Sequence, residues 1–280
     1  MDSPIEHVSD TALWVTAARA YETSRPDRLI DDPLAELLAG PRGMAILDQM
    51  PFKEGAALGL GLRTRIIDEF ILRVIDRDGV DVVLSLGAGL DTRAWRLPLP
   101  ANFSWIEADL PGIVAYKGER IGDRAPKCRL ERLAVDLTDD TARRDILKHA
   151  ASKVGRILLL TEGLLGYLPS ATVEGLVEEV SSLPAFAFWI FDTYARFPAQ
   201  VREVLGRVGS ATPMSSKERI AFVQAHGWQV AERRRFSDEA EKLAAERVKM
   251  FQSRMEQEHI SPADRQRGGI WLFVKNPGVA

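Results

Sequence analysis

Several features that mark specialised classes of protein are scarce in this sequence. Its 280 residues contain one cysteine, Cys128, so no internal disulfide can form and a reducing compartment is the expected environment. The four histidines lack the spacing of metal ligands, and we expect no metal site; they are His7, His149, His226 and His259.

Neither charge nor a long apolar segment points to a macromolecular partner. The formal net charge of −3 gives no electrostatic attraction for nucleic acid. The longest apolar run, Leu183 to Phe191, is too short to cross a bilayer, and the first residues lack the apolar core of a secretory signal. At 46% hydrophobic and 28% charged residues, the composition is that of a globular protein. We therefore expect a cytoplasmic protein with neither nucleic acid nor membrane as partner.

Short apolar runs alternate with helical patterns through most of the chain. Such alternation predicts an α/β fold with a doubly wound parallel sheet and right-handed crossovers. Two further strands near the C-terminus suit a mixed edge of that sheet. The predicted strands are Val82–Leu86, Phe103–Ala108, Arg129–Val135, Arg156–Leu160, Ala185–Phe191, Trp228–Phe236 and Ile270–Val274.

The N-terminal segment lacks this alternation and has the pattern of short helices. Thr11–Tyr21 carries apolar residues on one side, and Asp31-Asp32-Pro33 predicts a helix start with an acidic cap and proline at the first helical position. Gly55–Gly61 is predicted to be a loose link of small residues. A clear helical period then runs from Leu62 to Asp76.

These patterns predict a division into two parts. Residues 1–61 form a helical N-terminal extension or lid, and residues 62–280 form the core. A lid insertion is predicted around 195–226, with helices near 197–208 and 216–226. A charged helix follows at about Asp238–Glu258, whose charges are typical of a solvated face.

The predicted strand Val82–Leu86 ends in a glycine-rich turn, Gly87-Ala88-Gly89. Two glycines let the backbone turn tightly and come close to a bound molecule. A dinucleotide fingerprint requires a third glycine, but the acidic Asp91 and its neighbours stand there instead. An acidic turn favours a cofactor without a phosphate group, and S-adenosylmethionine is the commonest of these. An NAD(P)-dependent oxidoreductase is the less favoured alternative.

Four carboxylates, Asp91, Asp109, Asp136 and Glu162, lie at or just past the ends of predicted strands. Ligands of open α/β sheets bind at that edge. Asp109 follows Gly89 by twenty residues, the spacing at which a carboxylate accepts hydrogen bonds from ribose hydroxyls. Asp136 could meet an adenine amino group, and Glu162 the amino group of a zwitterion. Each of these carboxylates could instead cap a helix. Four of them after successive strands, however, favour a ligand of opposite charge, namely a cationic, amine-bearing nucleoside.

One arginine lies on the apolar face of a predicted helix. Arg63 is in line with Ile67 and Ile71, so its guanidinium points toward the covered side. It could extend along the apolar surface to water or pair with a carboxylate of the protein. It could also anchor the carboxylate of a ligand.

The sequence resembles the leucine carboxyl methyltransferase family of S-adenosylmethionine-dependent methyltransferases, including its bacterial O-methyltransferase branch. GAGLDTR and the EGLLxYLP-like block are the most specific of the matching segments. The matching segments are Ala17–Ala20, Asp31–Pro33, Arg63–Arg65, Leu86–Arg93, Glu107–Pro111, Val135–Leu137 and Thr161–Pro169.

The resemblance implies a Rossmann-like class I methyltransferase sheet with a helical N-terminal extension and lid, and S-adenosylmethionine as cofactor. It also assigns a role to individual positions around that cofactor. These are Arg63 and Arg19 for the methionine carboxylate, Gly87, Ala88 and Gly89 for the backbone beside the cofactor, Asp91 in the same turn, Asp109 for the ribose, Asp136 and Leu137 for the adenine, and Glu162 beside the methionine moiety.

The acceptor is predicted from the chemistry of methyl transfer. A carboxylate is already ionised at neutral pH and requires positioning and exclusion of water, whereas a phenol requires a general base. Asp192, Tyr194 and Tyr167 are candidates to face the acceptor, although Tyr167 also suits core packing. We therefore predict an O-methyltransferase (EC 2.1.1.-) acting on a carboxyl group of a small molecule. The alternatives are methylation of a phenol or hydroxyl of a natural product, and a non-catalytic scaffold that keeps the fold.

Overall fold

The computed structural model describes residues 8–50, 53–193, 214–257 and 268–276. The helices are α1 (Val8–Thr23), α2 (Ala35–Gln49), α3 (Lys53–Asp78), α4 (Arg93–Arg96), α5 (Pro111–Ile121), α6 (Asp140–Ala151), α7 (Ser170–Ser182), α8 (Ser216–Ala225) and α9 (Phe236–Gln257). The strands are β1 (Val80–Leu86), β2 (Ser104–Asp109), β3 (Arg129–Ala134), β4 (Arg156–Thr161), β5 (Phe186–Thr193), β6 (Trp228–Arg235) and β7 (Gly269–Lys275).

The seven strands form one mixed sheet in the order β3-β2-β1-β4-β5-β7-β6. Strands β1 to β5 pair in parallel. Strand β7 runs antiparallel to β6, because Phe236 after β6 bonds to Gly268 before β7, and Asn276 after β7 bonds to Gly227 before β6. The predicted α/β fold with a doubly wound sheet and a mixed edge is confirmed. Strands β2 and β3 lie on one side of β1, and β4 and β5 lie on the other, so the strand order reverses between β1 and β4. The ligand crevice of such folds lies at this point.

The apolar runs form strands because helices cover both faces of the sheet. All five residues from Val82 to Leu86 of β1 are buried, so both faces of this strand are covered, as expected of a central parallel strand. Trp189 of β5 is also fully buried, and its indole N–H donates a 2.9 Å bond to the hydroxyl of Thr161. This partner lets a large ring with a polar atom sit in the core.

The chain divides into two compact units. One comprises the described residues of 1–67, 192–208 and 233–270, and the other those of 68–191, 209–232 and 271–280. The division predicted from the sequence, with its boundary after residue 61 and a lid around 195–226, stays a prediction. The helix predicted at 197–208 lies outside the described residues. In the part of the chain that the structure describes, no helix is both long and apolar enough to span a membrane.

The predicted loose link at Gly55–Gly61 is wrong, since this segment forms the first turns of α3. A Cβ on Gly61 would lie 2.8 Å from Cγ of Glu22 in α1. Glu22 is itself fully buried and accepts bonds of 2.8 and 2.6 Å from the guanidinium of Arg247 in α9. Gly61 therefore leaves room for Glu22 and its ion pair, which is a packing requirement and not a requirement for backbone freedom.

The predicted helix start at Asp31-Asp32-Pro33 is also wrong. Helix α2 begins at Ala35 and has no side-chain cap. The buried carboxylate of Asp32 instead binds Nε of Arg19 at 3.0 Å. The local pattern predicts that this carboxylate caps a helix, but in the folded protein it forms an ion pair with an arginine of another helix.

The sequence also predicts a helix start at Asp139 or Asp140 and another with Ser170 as the N-cap. Asp139, one of two candidates, caps α6 by accepting bonds from the N–H groups of Thr141 and Ala142. Ser170 was predicted to cap the following helix, but α7 already includes it, and the cap position is Pro169. Proline supplies no capping side chain, so this helix relies on its packed face, which includes Leu176.

Candidate functional site at the carboxyl ends of the strands

The predicted glycine turn lies at the end of β1, beside the ends of β2 and β4. Leu86 of β1 pairs with Ala108 of β2, and Ser85 pairs with Leu160 of β4. The residues that follow these three strands therefore meet at one edge of the sheet. This is the switch point between the two halves of the sheet, where open α/β folds bind their ligands.

Both glycines of the turn have a left-handed backbone. Gly87 has φ +61° and Gly89 has φ +52°, a region that residues with a Cβ rarely adopt. A Cβ on Gly87 would also lie 2.7 Å from Cδ1 of Leu164, which follows β4. Ala88 between the glycines donates its N–H to the carbonyl of Ala108 at 3.2 Å. The turn is thus fixed to β2 on one side and packed against the segment after β4 on the other.

Asp109, the predicted ribose acceptor, ends β2 and binds the turn. Its Oδ2 accepts a 2.6 Å bond from the N–H of Gly89, and its Oδ1 accepts a 2.7 Å bond from the N–H of Leu110. Burial raises the pKa of the carboxyl above its usual value, opposed by these two backbone donors. Each oxygen retains a lone pair, because a carboxylate offers about four acceptor positions. Leu110 is 40% exposed and presents an apolar surface beside this group.

Asp91 and Glu162, predicted to be near the cofactor, are joined by Arg93, which is not among the predicted site residues. Nη1 of Arg93 lies 2.8 Å from Oδ2 of Asp91 and 2.6 Å from Oε2 of Glu162. Nε of the same guanidinium lies 2.6 Å from Oδ1 of Asp68 in α3. Only 2% of the Arg93 side chain is exposed. One buried arginine therefore connects the residues after β1 and β4 with a helix.

A second arginine extends this network. Arg96 donates to both carboxylate oxygens of Asp68, at 2.5 and 2.9 Å. Burial opposes the charge of Arg93, but the attraction of Asp91, Glu162 and Asp68 raises its pKa well above the usual value. The pKa of Arg96 is raised for the same reason, with burial opposing and Asp68 favouring its charge. Both guanidinium groups are therefore ionised.

The pair predicted to contact adenine lies at the end of β3. Asp136 is exposed, and its Oδ1 accepts from both the N–H and the hydroxyl of Thr138, at 2.9 and 2.7 Å. Its Oδ2 can still accept from an exocyclic amine. Leu137 is buried, and its carbonyl accepts a 3.1 Å bond from Arg143 of α6. Arg143 also holds Glu179 of α7 through two bonds of 2.8 and 2.9 Å.

The remaining predicted residues lie in the other unit or outside the described residues. Arg63 is buried, as its position on the helix predicts, and Nη1 lies 3.5 Å from Oδ2 of the buried Asp192. Arg19 pairs with Asp32 in the same unit. Tyr194 lies outside the described residues.

Tyr167 lies in the segment between β4 and α7. It is partly buried, and its N–H donates to the carbonyl of Leu164 at 2.8 Å. This backbone bond belongs to the same segment that packs against Gly87. The position is compatible with core packing and with facing a ligand, so its role stays a prediction.

Arg93 is the main residue of this site that sequence reasoning missed. One signal is available in the sequence, because Arg93 follows Asp91 by two residues and an opposite charge is therefore within reach along the chain. The partners Asp68 and Glu162, however, are 25 and 69 residues away in the chain.

Among the described residues, no group of three or more histidine, cysteine, aspartate or glutamate side chains is arranged to hold a metal ion.

Comparison with known proteins decides the family. The sequence model of the leucine carboxyl methyltransferase family matches residues 12–181, which is more than half of the chain. The chain belongs to this family. The resemblance found in the sequence is therefore confirmed, and the matched region contains the turn, the four strand-end carboxylates and Arg93.

Two relatives of this leucine carboxyl methyltransferase family member have been named. A proposed S-adenosyl-L-methionine-dependent methyltransferase from Mycobacteroides abscessus is 38% identical over 192 residues, covering 65% of this chain and 61% of its own length. A protein from Mycobacterium avium with the same description is 35% identical over 255 residues, covering 80% of each chain. This chain spans about three fifths of the length of the first three relatives it matches.

A solved structure supports the fold. The crystal structure of a proposed methyltransferase from Thermobifida fusca superposes with a TM-score of 0.54, at 14% identity and with 94% of each chain covered. At this identity the similarity concerns the fold only. It agrees with a Rossmann-like methyltransferase sheet for this member of the leucine carboxyl methyltransferase family.

Proposed function

We propose that this protein is an S-adenosylmethionine-dependent O-methyltransferase that esterifies a carboxyl group of a small molecule. The observation that carries the proposal is the contact between Gly89 and Asp109 at the switch point of the sheet, in a chain of the leucine carboxyl methyltransferase family. A turn without a third glycine and with Asp91 behind it disfavours a pyrophosphate, and therefore a dinucleotide. We also propose a cytoplasmic location, because a chain with one cysteine forms no internal disulfide and suits a reducing compartment.

The residues present fit an adenosine group. Asp109 retains acceptor capacity for two ribose hydroxyls, and the exposed Leu110 offers apolar surface to a flat base. Asp136 accepts from the adenine amino group through Oδ2, and Leu137 lies beside it in the chain. Gly87 and Gly89 add no side chain to the turn, so the backbone at these two positions can come close to the ligand.

The amino acid part of the cofactor requires groups of both charges. Glu162 accepts from the ammonium group, and Asp91 adds negative charge near it. The family resemblance assigns the carboxylate of the ligand to Arg63, with Arg19 as the second candidate. These assignments come from the family resemblance. Arg63 and Arg19 pair with Asp192 and Asp32, and the ligand carboxylate would compete with these two partners.

The protein's task in the reaction is positioning. When bound, S-adenosylmethionine would supply a methyl group on a sulfonium, which an acceptor oxygen could take in an in-line displacement. An ionised carboxyl acceptor loses no proton, so the protein needs no general base and acts by orientation and exclusion of water. The two described histidines lie before β4 and β6, away from the carboxyl ends, and His149 pairs with Glu131 at 2.7 Å. This placement favours a carboxyl acceptor over a phenol.

Calorimetry with S-adenosylmethionine and with NAD(H) tests the cofactor. We expect the wild type to bind the first and not the second. Asp109→Ala removes charged hydrogen bonds of about 1.5–3 kcal/mol each, so affinity falls by about tenfold to more than a hundredfold. Asp139→Ala is the matched control, since it removes an exposed aspartate that only caps α6 and leaves affinity unchanged. Absence of binding by the wild type refutes the proposal and favours the scaffold alternative.

A transfer assay tests the acceptor. The protein is incubated with cofactor carrying a radiolabelled methyl group and with separate panels of small carboxylic acids and phenols. A methyl ester releases labelled methanol in mild alkali, whereas an aryl methyl ether does not. Label that is transferred and alkali-labile supports a carboxyl acceptor, and alkali-stable label supports the phenol or hydroxyl alternative.

A further inference from the structure

Arg93 touches two of the carboxylates proposed to face the cofactor. Its Nη1 donates to Oδ2 of Asp91 and to Oε2 of Glu162, at 2.8 and 2.6 Å. These residues follow β1 and β4, two strands that are neighbours in the sheet. A single nitrogen thus sets the distance between the two carboxylates.

The other end of the guanidinium is held from outside the strand ends. Nε of Arg93 donates to Oδ1 of Asp68 at 2.6 Å. The backbone N–H of Arg93 donates to Oδ1 of Asp91 at 2.9 Å, which fixes the main chain of the arginine as well. Asp68 is in turn held by two bonds from Arg96. The planar guanidinium therefore has little freedom to rotate, and the Glu162 oxygen that it binds is fixed with it.

We propose that Arg93 is a positioning residue that orients Glu162 for recognition of the ammonium group of the methyl donor. The inference rests on the proposed function and deepens it. Glu162 binds Arg93 through Oε2, and the family resemblance places the same carboxylate beside the methionine part of the ligand. Arg93 does not contact the ligand. It acts by holding Glu162 in one rotamer, which removes the entropic cost of ordering that side chain when the ligand binds.

A lysine cannot replace this arginine. Lysine carries a single ammonium, whereas the contacts of Arg93 leave from two nitrogens in one plane, toward Asp68 on one side and toward Asp91 and Glu162 on the other. Arg93→Lys keeps the positive charge and loses the planar geometry. The effect of this variant on ligand binding therefore reports orientation and not charge.

Two ligands that differ only in the amino acid part provide the readout. S-adenosylhomocysteine carries an ammonium and a carboxylate, and 5′-methylthioadenosine has the same nucleoside and a thioether but neither charged group. In the wild type we expect the first to bind more tightly. Arg93→Lys should weaken S-adenosylhomocysteine about tenfold or more and change 5′-methylthioadenosine less than threefold. A purely structural role would weaken both ligands alike.

Asp68→Asn serves as the second variant, since Asp68 contacts the arginines and has no assigned ligand contact. It should lower the same affinity ratio, because it loosens Arg93 without changing Glu162. It also keeps the test decisive if Arg93→Lys does not fold. Arg247→Lys is the matched control, because it disturbs another buried arginine with two bonds to one carboxylate, Glu22. It should lower the melting temperature and leave the ratio unchanged.

The outcomes separate this inference from the function on which it rests. A wild type that binds neither nucleoside refutes the proposed function and the inference with it. A wild type that binds both nucleosides equally refutes the inference alone, because no ammonium recognition is then present. The inference is also overturned if folded Arg93→Lys or Asp68→Asn keeps the wild-type ratio within about twofold.

Discussion

The N–H of Gly89 donates a 2.6 Å hydrogen bond to Oδ2 of Asp109, twenty residues further along the chain. This bond joins the turn after β1 to the end of β2, so the backbone proposed to approach the cofactor and the carboxylate proposed to bind its ribose are fixed together. Burial nevertheless raises the pKa of Asp109. The Asp109 carboxyl is therefore held in position beside the turn, but it ionises at a higher pH than an exposed aspartate does.

Cofactor affinity should depend on the ionisation of Asp109. A protonated carboxyl accepts fewer bonds from ribose hydroxyls, so affinity should fall as the pH decreases through the folded-state pKa, which lies above the ordinary value of 3.8. Calorimetric titration with S-adenosylhomocysteine across the acidic range measures this. In Asp109→Asn the affinity should be lower than in the wild type where the wild-type carboxyl is ionised, and the ratio of the two affinities should approach one at low pH. A constant ratio would contradict the prediction.

The same pKa shift acts on stability in the opposite direction. The folded protein holds the proton on Asp109 more tightly than the unfolded chain does, so this residue favours folding below its unfolded pKa. That contribution is lost as the pH rises through the raised folded-state pKa. Urea unfolding of the ligand-free wild type and of Asp109→Asn should therefore show a free-energy difference that declines with rising pH. A difference that grows with pH would show that the pKa is lowered.

Gly87→Ala should destabilise the protein through two separate effects. The left-handed backbone costs about 1–2 kcal/mol for a residue with a Cβ, and the new Cβ would lie 2.7 Å from Cδ1 of Leu164. Gly79→Ala is the matched control, because Gly79 has φ +63° and no atom within 4 Å of the added Cβ. Thermal unfolding should show a larger loss for Gly87→Ala. Equal losses would mean that Leu164 moves aside without cost.

Two glycines of α3 should respond to alanine with opposite signs. Gly59→Ala should stabilise the protein by up to about 1 kcal/mol, because the added Cβ meets nothing within 4 Å and alanine is the better helix former. Gly61→Ala should destabilise it, because the added Cβ would lie 2.8 Å from Cγ of Glu22, which Arg247 holds in place. Urea unfolding of both variants measures this. A stabilising Gly61→Ala would show that Glu22 can move.

Cys128 should react slowly with iodoacetamide in the folded protein. Burial, and to a smaller extent the nearby Glu107, raises the pKa of its thiol to about 11. At pH 8 the reactive thiolate fraction is then roughly 10⁻³, about a hundredfold below that of an ordinary cysteine. Mass spectrometry of the native and the urea-unfolded protein compares the two rates. Similar rates in both states would contradict the burial of this thiol.

Much of the fold follows from local patterns in the sequence. The strand from Val80 to Leu86 is apolar because it is covered on both faces, and such runs predict central parallel strands without knowledge of their neighbours. The cap at Asp139 can be predicted from the sequence because a cap bonds within three residues of itself. The first turns of α3 were missed because Gly61 resembles a link in sequence, and only Glu22 in another helix shows why a glycine is there.

The sequence by itself determined which residues stand at the ends of the strands, because the βα alternation shows where each apolar run stops. These residues are Gly87, Gly89, Asp109, Asp136 and Glu162. The tertiary structure alone decided how these groups are paired. Asp32 binds Arg19 and not a helix end. Arg93 gathers carboxylates from 25 residues before it to 69 residues after it. Periodicity reports neighbours along the chain, whereas the partner of a buried charge is chosen by which opposite charge the folded chain brings within hydrogen-bond distance.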